Sequence, residues 1–272
     1  MPPVGDGRGL RHRVRRFFLP PVSYRSYRVW QRNRDVFLRL WKTEVGLIFA
    51  EPLFVLLAMG LGLGSYVALG GGQGYLEFIA PGIVASYAMW SAAMECTWGS
   101  YIRMEQQKTY DAIIVTPVDI EDVIAGEILW GASRSLITAC AILVVVALFG
   151  LVRSPFALLV PLVAFAEGLM FSSVSMFFTS IAPSIYAFNY YYTIFLTPMF
   201  FFSGVFFPLS GLPPVVQQVA RFIPLTPVVN LTRSLVSGQL SLSSLGDLAW
   251  VGLLCLLFFP LAVASMRRRL IL

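Results

Sequence analysis

Residues 101–134 read YIRMEQQKTYDAIIVTPVDIEDVIAGEILWGASR. This is the one well-charged stretch between the first and last apolar runs of the chain, and it joins two of the longest of them. Its middle is acidic, with Glu105, Asp111, Asp119, Glu121 and Asp122 around Lys108 and Tyr110, yet it contains the apolar run Ala112-Ile113-Ile114-Val115. An acidic connector alone would be solvated. The apolar run calls for a groove, so the segment reads as an elbow outside the bilayer on which another protein pushes.

Working outward, the runs on either side decide the fold class. The 272 residues are 57% hydrophobic and 12% charged, against roughly 25% charged in a soluble domain. A helix needs about 20 apolar residues to cross a bilayer. That length places six spans at about 45–69, 78–102, 123–150, 156–181, 187–207 and 245–266. Between spans five and six, Pro208, Pro213, Pro214, Pro224 and Pro227 bracket two short helical patterns, 214–222 and 227–237. Each is too short to span, and both read as outer-side or re-entrant helices. The fold class is thus all-α integral membrane, with no room for a soluble second domain.

Charge sets the expected orientation. Eleven of the twenty Lys and Arg residues lie in residues 1–44, and Arg267, Arg268 and Arg269 close the last span. Such clusters stay in the cytoplasm, which puts both termini inside and makes the span count even. Because the basic groups flank apolar spans, they point to lipid headgroups rather than to nucleic acid. Residues 1–23 form a basic tail. Arg15-Arg16 is followed by more arginines and not by an apolar segment, so it is no export signal. Residues 24–43 carry Tyr27, Trp30, Phe37 and Trp41 at helical spacing, with Arg28, Arg32, Asp35, Arg39 and Lys42 on other faces, the pattern of an amphipathic helix in the headgroup layer. Residues 44–272 are the transmembrane domain.

Several chemistries are excluded. Only Lys42 and Lys108 could serve a phosphate loop, and Lys108-Thr109 follows Gln106-Gln107 with no glycine. ATP must therefore be bound by another chain if it drives this one. The single histidine, His12, lies in the tail, and Cys96, Cys140 and Cys255 stand apart in apolar runs. No metal site, catalytic triad or membrane-edge enzyme site can be built from these. Gly70-Gly71-Gly72-Gln73-Gly74 is an outer turn without the context of a phosphate loop.

Ionisable groups inside apolar runs are costly. Counted at ~1.5 Å per residue from the inner ends, Glu51, Glu95 and Arg134 share the inner third of the bilayer. They form either a charge-paired lock, with Glu95–Arg134 the favoured pair, or three side chains that each snorkel to the headgroups. Glu167 sits nearer the midplane; with Glu95 it leaves open an ion-coupled secondary transporter as the alternative. Span five is dense in aromatics, and Tyr190, Tyr191, Phe195 and Phe202 either line a path for an amphipathic cargo or form an interfacial and lipid-facing belt.

One family shares these features in this order. Glu51-Pro52 precedes glycines at 60, 62 and 64; Glu95 precedes Arg103-Met104; Thr109-Tyr110-Asp111-Ala112-Ile113 leads to Thr116-Pro117 and to Gly126-Glu127-Ile128-Leu129-Trp130-Gly131-Ala132. Ala182-Pro183-Ser184, Thr197-Pro198-Met199, Ser203-Gly204, Phe207-Pro208, Leu212-Pro213 and Ile223-Pro224-Leu225 follow. Over residues 45–270 the chain resembles the ABC-2 type exporter permeases, and among them the branch that exports lipo-chitooligosaccharide nodulation factors. The resemblance implies a six-span, non-enzymatic permease of the plasma (inner) membrane. It would pair with a second copy of itself and with two cytoplasmic ATPase subunits that hold the ATP and Mg, this chain binding no cofactor. It also implies a coupling helix at about 104–115, with Glu105, Gln106, Lys108, Thr109, Tyr110, Asp111 and Ile113 toward the ATPase. The cargo class implied is an amphipathic glycolipid, a lipo-oligosaccharide or a hydrophobic drug. The long arginine-rich tail and Glu167 depart from what the family leads one to expect.

Overall fold

The computed structural model describes residues 22–64, 66–67 and 74–271; the side chains of residues 45, 47 and 61 lie outside the description. Most of the basic tail and of the glycine-rich outer turn falls outside it as well. Every regular element among the described residues is helical.

Helix α1 spans Ser26–Leu57, continued by a π-helical turn at Ala58–Leu63. The amphipathic segment and the first span are thus one helix, bent by 46° between Ser26–Glu44 and Ile48–Gly60. The bend falls at residues 45–47, ahead of the turn in which Pro52 has no N–H to give to the carbonyl of Ile48. Helix α2 (Tyr75–Met94) runs on through wide π-turns at Glu95–Gly99 and Ile102–Gln106. Lys108, in the left-handed region at φ +50°, breaks the run and starts the short helix α3, Thr109–Ile114. Helix α4 covers Ile120–Leu148, with Glu121 and Asp122 in its first turn, where the helix dipole favours negative charge. A 3₁₀ turn, Pro155–Leu159, leads into α5, Val160–Ile181.

The fifth expected span is interrupted: α6 (Ala187–Tyr190), a π-turn (Tyr191–Leu196) and α7 (Thr197–Phe202) follow one another. Helices α8 (Pro214–Phe222) and α9 (Leu225–Ser237) match the two short patterns, and α10 is Ser243–Ile271. By length and composition α4, α5 with its 3₁₀ lead, and α10 can each cross a membrane, and α1 makes a fourth if its bent halves count as one span.

Helix α4 is the centre of the bundle, packed against α1, α2 and α5, while α5 also carries α10. Small residues allow these approaches. A methyl on Gly126 would come 2.6 Å from the Ser26 carbonyl oxygen of α1, and one on Gly168 would come 2.7 Å from Cα of Ala132 in α4. The larger apolar core joins α2, α4, α5 and α9. The smaller core, at the elbow end, gathers Val29, Met104, Tyr110, Ile124 and Met266. Helix α9 is deeply packed, with Leu225, Val228, Val229 and Leu235 buried.

The amphipathic half of α1 packs on α4. Trp30 donates Nε1–H to Ser133 Oγ at 2.8 Å, and Phe37 packs at 5.7 Å from the Trp130 ring. Tyr27 and Trp41 remain about half exposed.

Candidate functional site: an ionic chain beneath the elbow

The wide π-turns that end α2 carry Glu95 and Arg103, and α4 and α1 supply their partners. Arg103 Nη1 lies 2.8 Å from Glu95 Oε1, and its Nη2 pairs with Glu127 Oε2. Glu127 is fully buried and takes two further hydrogen bonds, from Asn33 Nδ2 at 3.0 Å and Ser100 Oγ at 3.1 Å. Arg134 Nε stands 3.6 Å from Glu95 Oε2, and its Nη2 binds Glu44 Oε2 at 2.7 Å. The Arg134 guanidinium also lies 4.9 Å over the Phe37 ring. A continuous chain, Glu44–Arg134–Glu95–Arg103–Glu127–Asn33, therefore ties α1 to α4 and α2 beside the bend of α1. Burial of this many charges is tolerable because each carboxylate has a cation and the deepest, Glu127, has two further donors. Nε of Arg103 and of Arg134 are nonetheless buried without a hydrogen-bond partner among the described residues.

Glu95 and Arg134 meet as the depth argument expects, but Glu51 does not join them. It accepts from Tyr87 Oη at 3.3 Å instead, and no basic side chain among the described residues lies within ion-pair distance of it. Depth along a helix fixes height, not azimuth, and Glu51 faces another way. The sequence reading also missed Arg103, Glu127 and Glu44 as members. A signal was present, because Glu127 and Arg134 are seven residues apart and so share one face of α4.

The elbow sits on this chain. Tyr110 is fully buried in the smaller core, so it faces the bundle and not a partner. Burial, with Glu127 nearby, pushes its phenol well above the ordinary range and keeps it neutral. Ile113 is half-buried against the same core. Gln106, Lys108, Asp111 and Ala112 are exposed, and Val115 is 87% exposed. Thr109 is half-buried, its Oγ1 3.5 Å from Arg32 Nη2. Glu105 is held by Arg269 Nη2 at 3.1 Å and Lys108 Nζ at 3.6 Å. Arg269 also donates to the carbonyl of Ala182, at 2.8 Å, which joins the end of α5 to the elbow. On the other side Arg267 pairs with Glu121 at 3.0 Å, and Ser23 Oγ donates to Asp122 at 2.7 Å. Both ends of the described chain thus fasten the elbow.

The ABC-2 type transporter family model matches residues 26–236, a stretch that starts with α1 and includes every member of the ionic chain, though not Ser23, Arg267 or Arg269. The chain belongs to the ABC-2 type transporter family. It is 35% identical over 256 residues to Nodulation protein J of Rhizobium leguminosarum bv. trifolii, covering 93% of this chain and 97% of that one. It is 34% identical over 255 residues to Nodulation protein J of Rhizobium meliloti (strain 1021), with 93% and 96% covered. A more distant relative is the inner membrane transport permease YadH of Escherichia coli (strain K12), 23% identical over 203 residues, with 74% and 78% covered.

In this ABC-2 permease the aromatic segment divides. Tyr190, Phe195 and Phe202 are exposed by 68%, 43% and 45%, whereas Tyr191 is buried, with its hydroxyl 2.9 Å from Ser175 Oγ and its ring stacked on Phe178. Tyr191 is therefore a packing residue and does not line a path. Glu167 is fully buried, and neither carboxyl oxygen has a hydrogen-bond partner among the described residues.

Proposed function

We propose that this permease is the membrane subunit of an ATP-driven exporter in the inner membrane. A second copy and two cytoplasmic ATPase subunits complete it. ATP and Mg belong to those partners. Six spans, with both termini in the cytoplasm, are formed by the second half of α1, α2 with its π-turns, α4, α5, the interrupted segment 187–202 and α10. The cargo is an amphipathic glycolipid, a lipo-oligosaccharide or a hydrophobic drug, met by the exposed rings of Tyr190, Phe195 and Phe202.

The observation that carries this reading is the two-sidedness of α3. Tyr110 anchors one side in the bundle, while Asp111, Ala112 and the adjoining Val115 stand exposed on the other. A partner can shift the spans only through a contact whose free energy differs between its two states. Helix α3 is short, touches α1 through Thr109 and Arg32, and directly follows the π-turn whose Arg103 and Glu105 join the ionic chain and Arg269 of α10. Asp111→Arg or Val115→Asp should uncouple hydrolysis from export while leaving folding intact, because neither residue is packed. If complexes with these changes retain cargo-stimulated hydrolysis and export, α3 is not where the partner acts.

A further inference from the structure

The amphipathic half of α1 carries cations that the protein itself does not neutralise. Arg28, Arg32, Arg39 and Lys42 have no carboxylate within ion-pair distance among the described residues, whereas Arg34 pairs with Asp35. Three of the four point to open solvent. Arg32 is different: it is half-buried and lines a half-open cleft of about 270 Å³ between α1, the π-turns of α2 and α4. Glu44 and Glu95 in that lining are already paired with Arg134 and Arg103, and Arg32 is the one charge of the lining left without an ionic partner among the described residues. Its hydrogen bonds are to neutral groups, Asn33 Oδ1 at 3.1 Å and Thr109 Oγ1 at 3.5 Å. Gln107 offers an amide beside it, and Val36 and Leu40, 48% and 54% exposed, give the cleft an apolar rim.

These features suit one kind of occupant. A free inorganic anion would satisfy Arg32 but leave the rim wet, and a hydrocarbon would leave the guanidinium without its counter-ion. We propose that the cleft binds an anionic membrane phospholipid, with its phosphate on Arg32 and Gln107 and an acyl chain over Val36 and Leu40. The surplus of cations on α1 favours a net-negative lipid such as phosphatidylglycerol over a zwitterionic one. A charge-assisted hydrogen bond from a guanidinium to phosphate supplies the anchoring contact. Because Arg32 also reaches Thr109, the bound headgroup would rest against the elbow.

The test is native mass spectrometry of the full chain released from nanodiscs of defined composition. One phosphatidylglycerol per chain should be retained in preference to phosphatidylethanolamine and phosphatidylcholine. Arg32→Gln and Ile102→Trp, the latter filling the cleft without altering charge, should each weaken retention about tenfold, the factor equivalent to 1.4 kcal/mol. Arg39→Gln, outside the cleft, should weaken it far less. Val36→Trp at the rim serves if Ile102→Trp does not fold. Undiminished retention in the cleft-filled variant, or equal losses for Arg32→Gln and Arg39→Gln, would mean only diffuse attraction and would overturn the site. Displacement of the lipid by millimolar glycerol phosphate would show that phosphate alone suffices and would overturn the lipid assignment.

Discussion

Removal of Arg103 should be the most damaging single change in the ionic chain. Its side chain is 15% exposed and bridges Glu95, at 14%, and Glu127, at 0%. In Arg103→Leu, Glu127 keeps only the neutral donors of Asn33 and Ser100. Breaking a buried pair from one side costs about 3–5 kcal/mol, chiefly because the stranded charge stays buried. Glu127→Leu should cost less, about 2.5–3 kcal/mol, the low end of one charged hydrogen bond plus two neutral ones, since Arg103 retains Glu95. In the double variant the stranded carboxylate is gone, so the total should approach that of Glu127→Leu. The coupling is then close to the whole Arg103→Leu cost, about 3–5 kcal/mol, at or above the upper end for residues in contact. Reversible unfolding in bicelles, titrated with dodecyl sulfate and followed by tryptophan fluorescence, gives all three values. Arg34→Leu is the control, because Arg34 and Asp35 are 38% and 55% exposed and such a pair contributes about 0–1 kcal/mol. Additive effects, or an Arg103→Leu cost no larger than the control, would refute the reasoning.

Two further outcomes follow from the packing and the proposed orientation. Gly168→Ala should destabilise by about 1–3 kcal/mol in the same assay, because the methyl would sit 2.6 Å from Ser135 Cβ and force α4 and α5 apart. Gly252→Ala, with nothing within 4 Å, should instead be neutral or slightly stabilising. In a cysteine-free background, Leu240→Cys should label with an impermeant thiol reagent in intact cells and Gln106→Cys only after permeabilisation; the reverse pattern would invert the topology.

The readability of this fold from sequence was uneven, for reasons that lie in particular residues. Long apolar runs and the arginine stops gave α4, α5 and α10 directly, and the proline spacing gave α8 and α9 to within two residues. The join of the amphipathic helix to the first span was hidden, because the change from charged to apolar residues near 44 marks a change of environment and not a break in the backbone. Glu127 was overlooked inside a run otherwise apolar, although its seven-residue offset from Arg134 puts both on one face. Glu51 was wrongly grouped because equal depth says nothing about facing. Tyr110 was taken for a surface contact since its neighbours are charged; Ile113 and Ile114 pack on the same core at i+3 and i+4, but a helix of six residues shows that spacing only once.

The central claim is that the exposed side of α3 bears the partner ATPase. A photo-reactive amino acid at position 115, where Val115 is 87% exposed, tests it when the intact complex is irradiated in membranes. The account predicts a covalent adduct between this chain and the ATPase subunit, weakened or shifted by nucleotide, and none from position 144, where Val144 is exposed near the C-terminal end of α4, far along the helix from the elbow. A complex that stays assembled and yields no ATPase adduct from position 115 in any nucleotide state would contradict it.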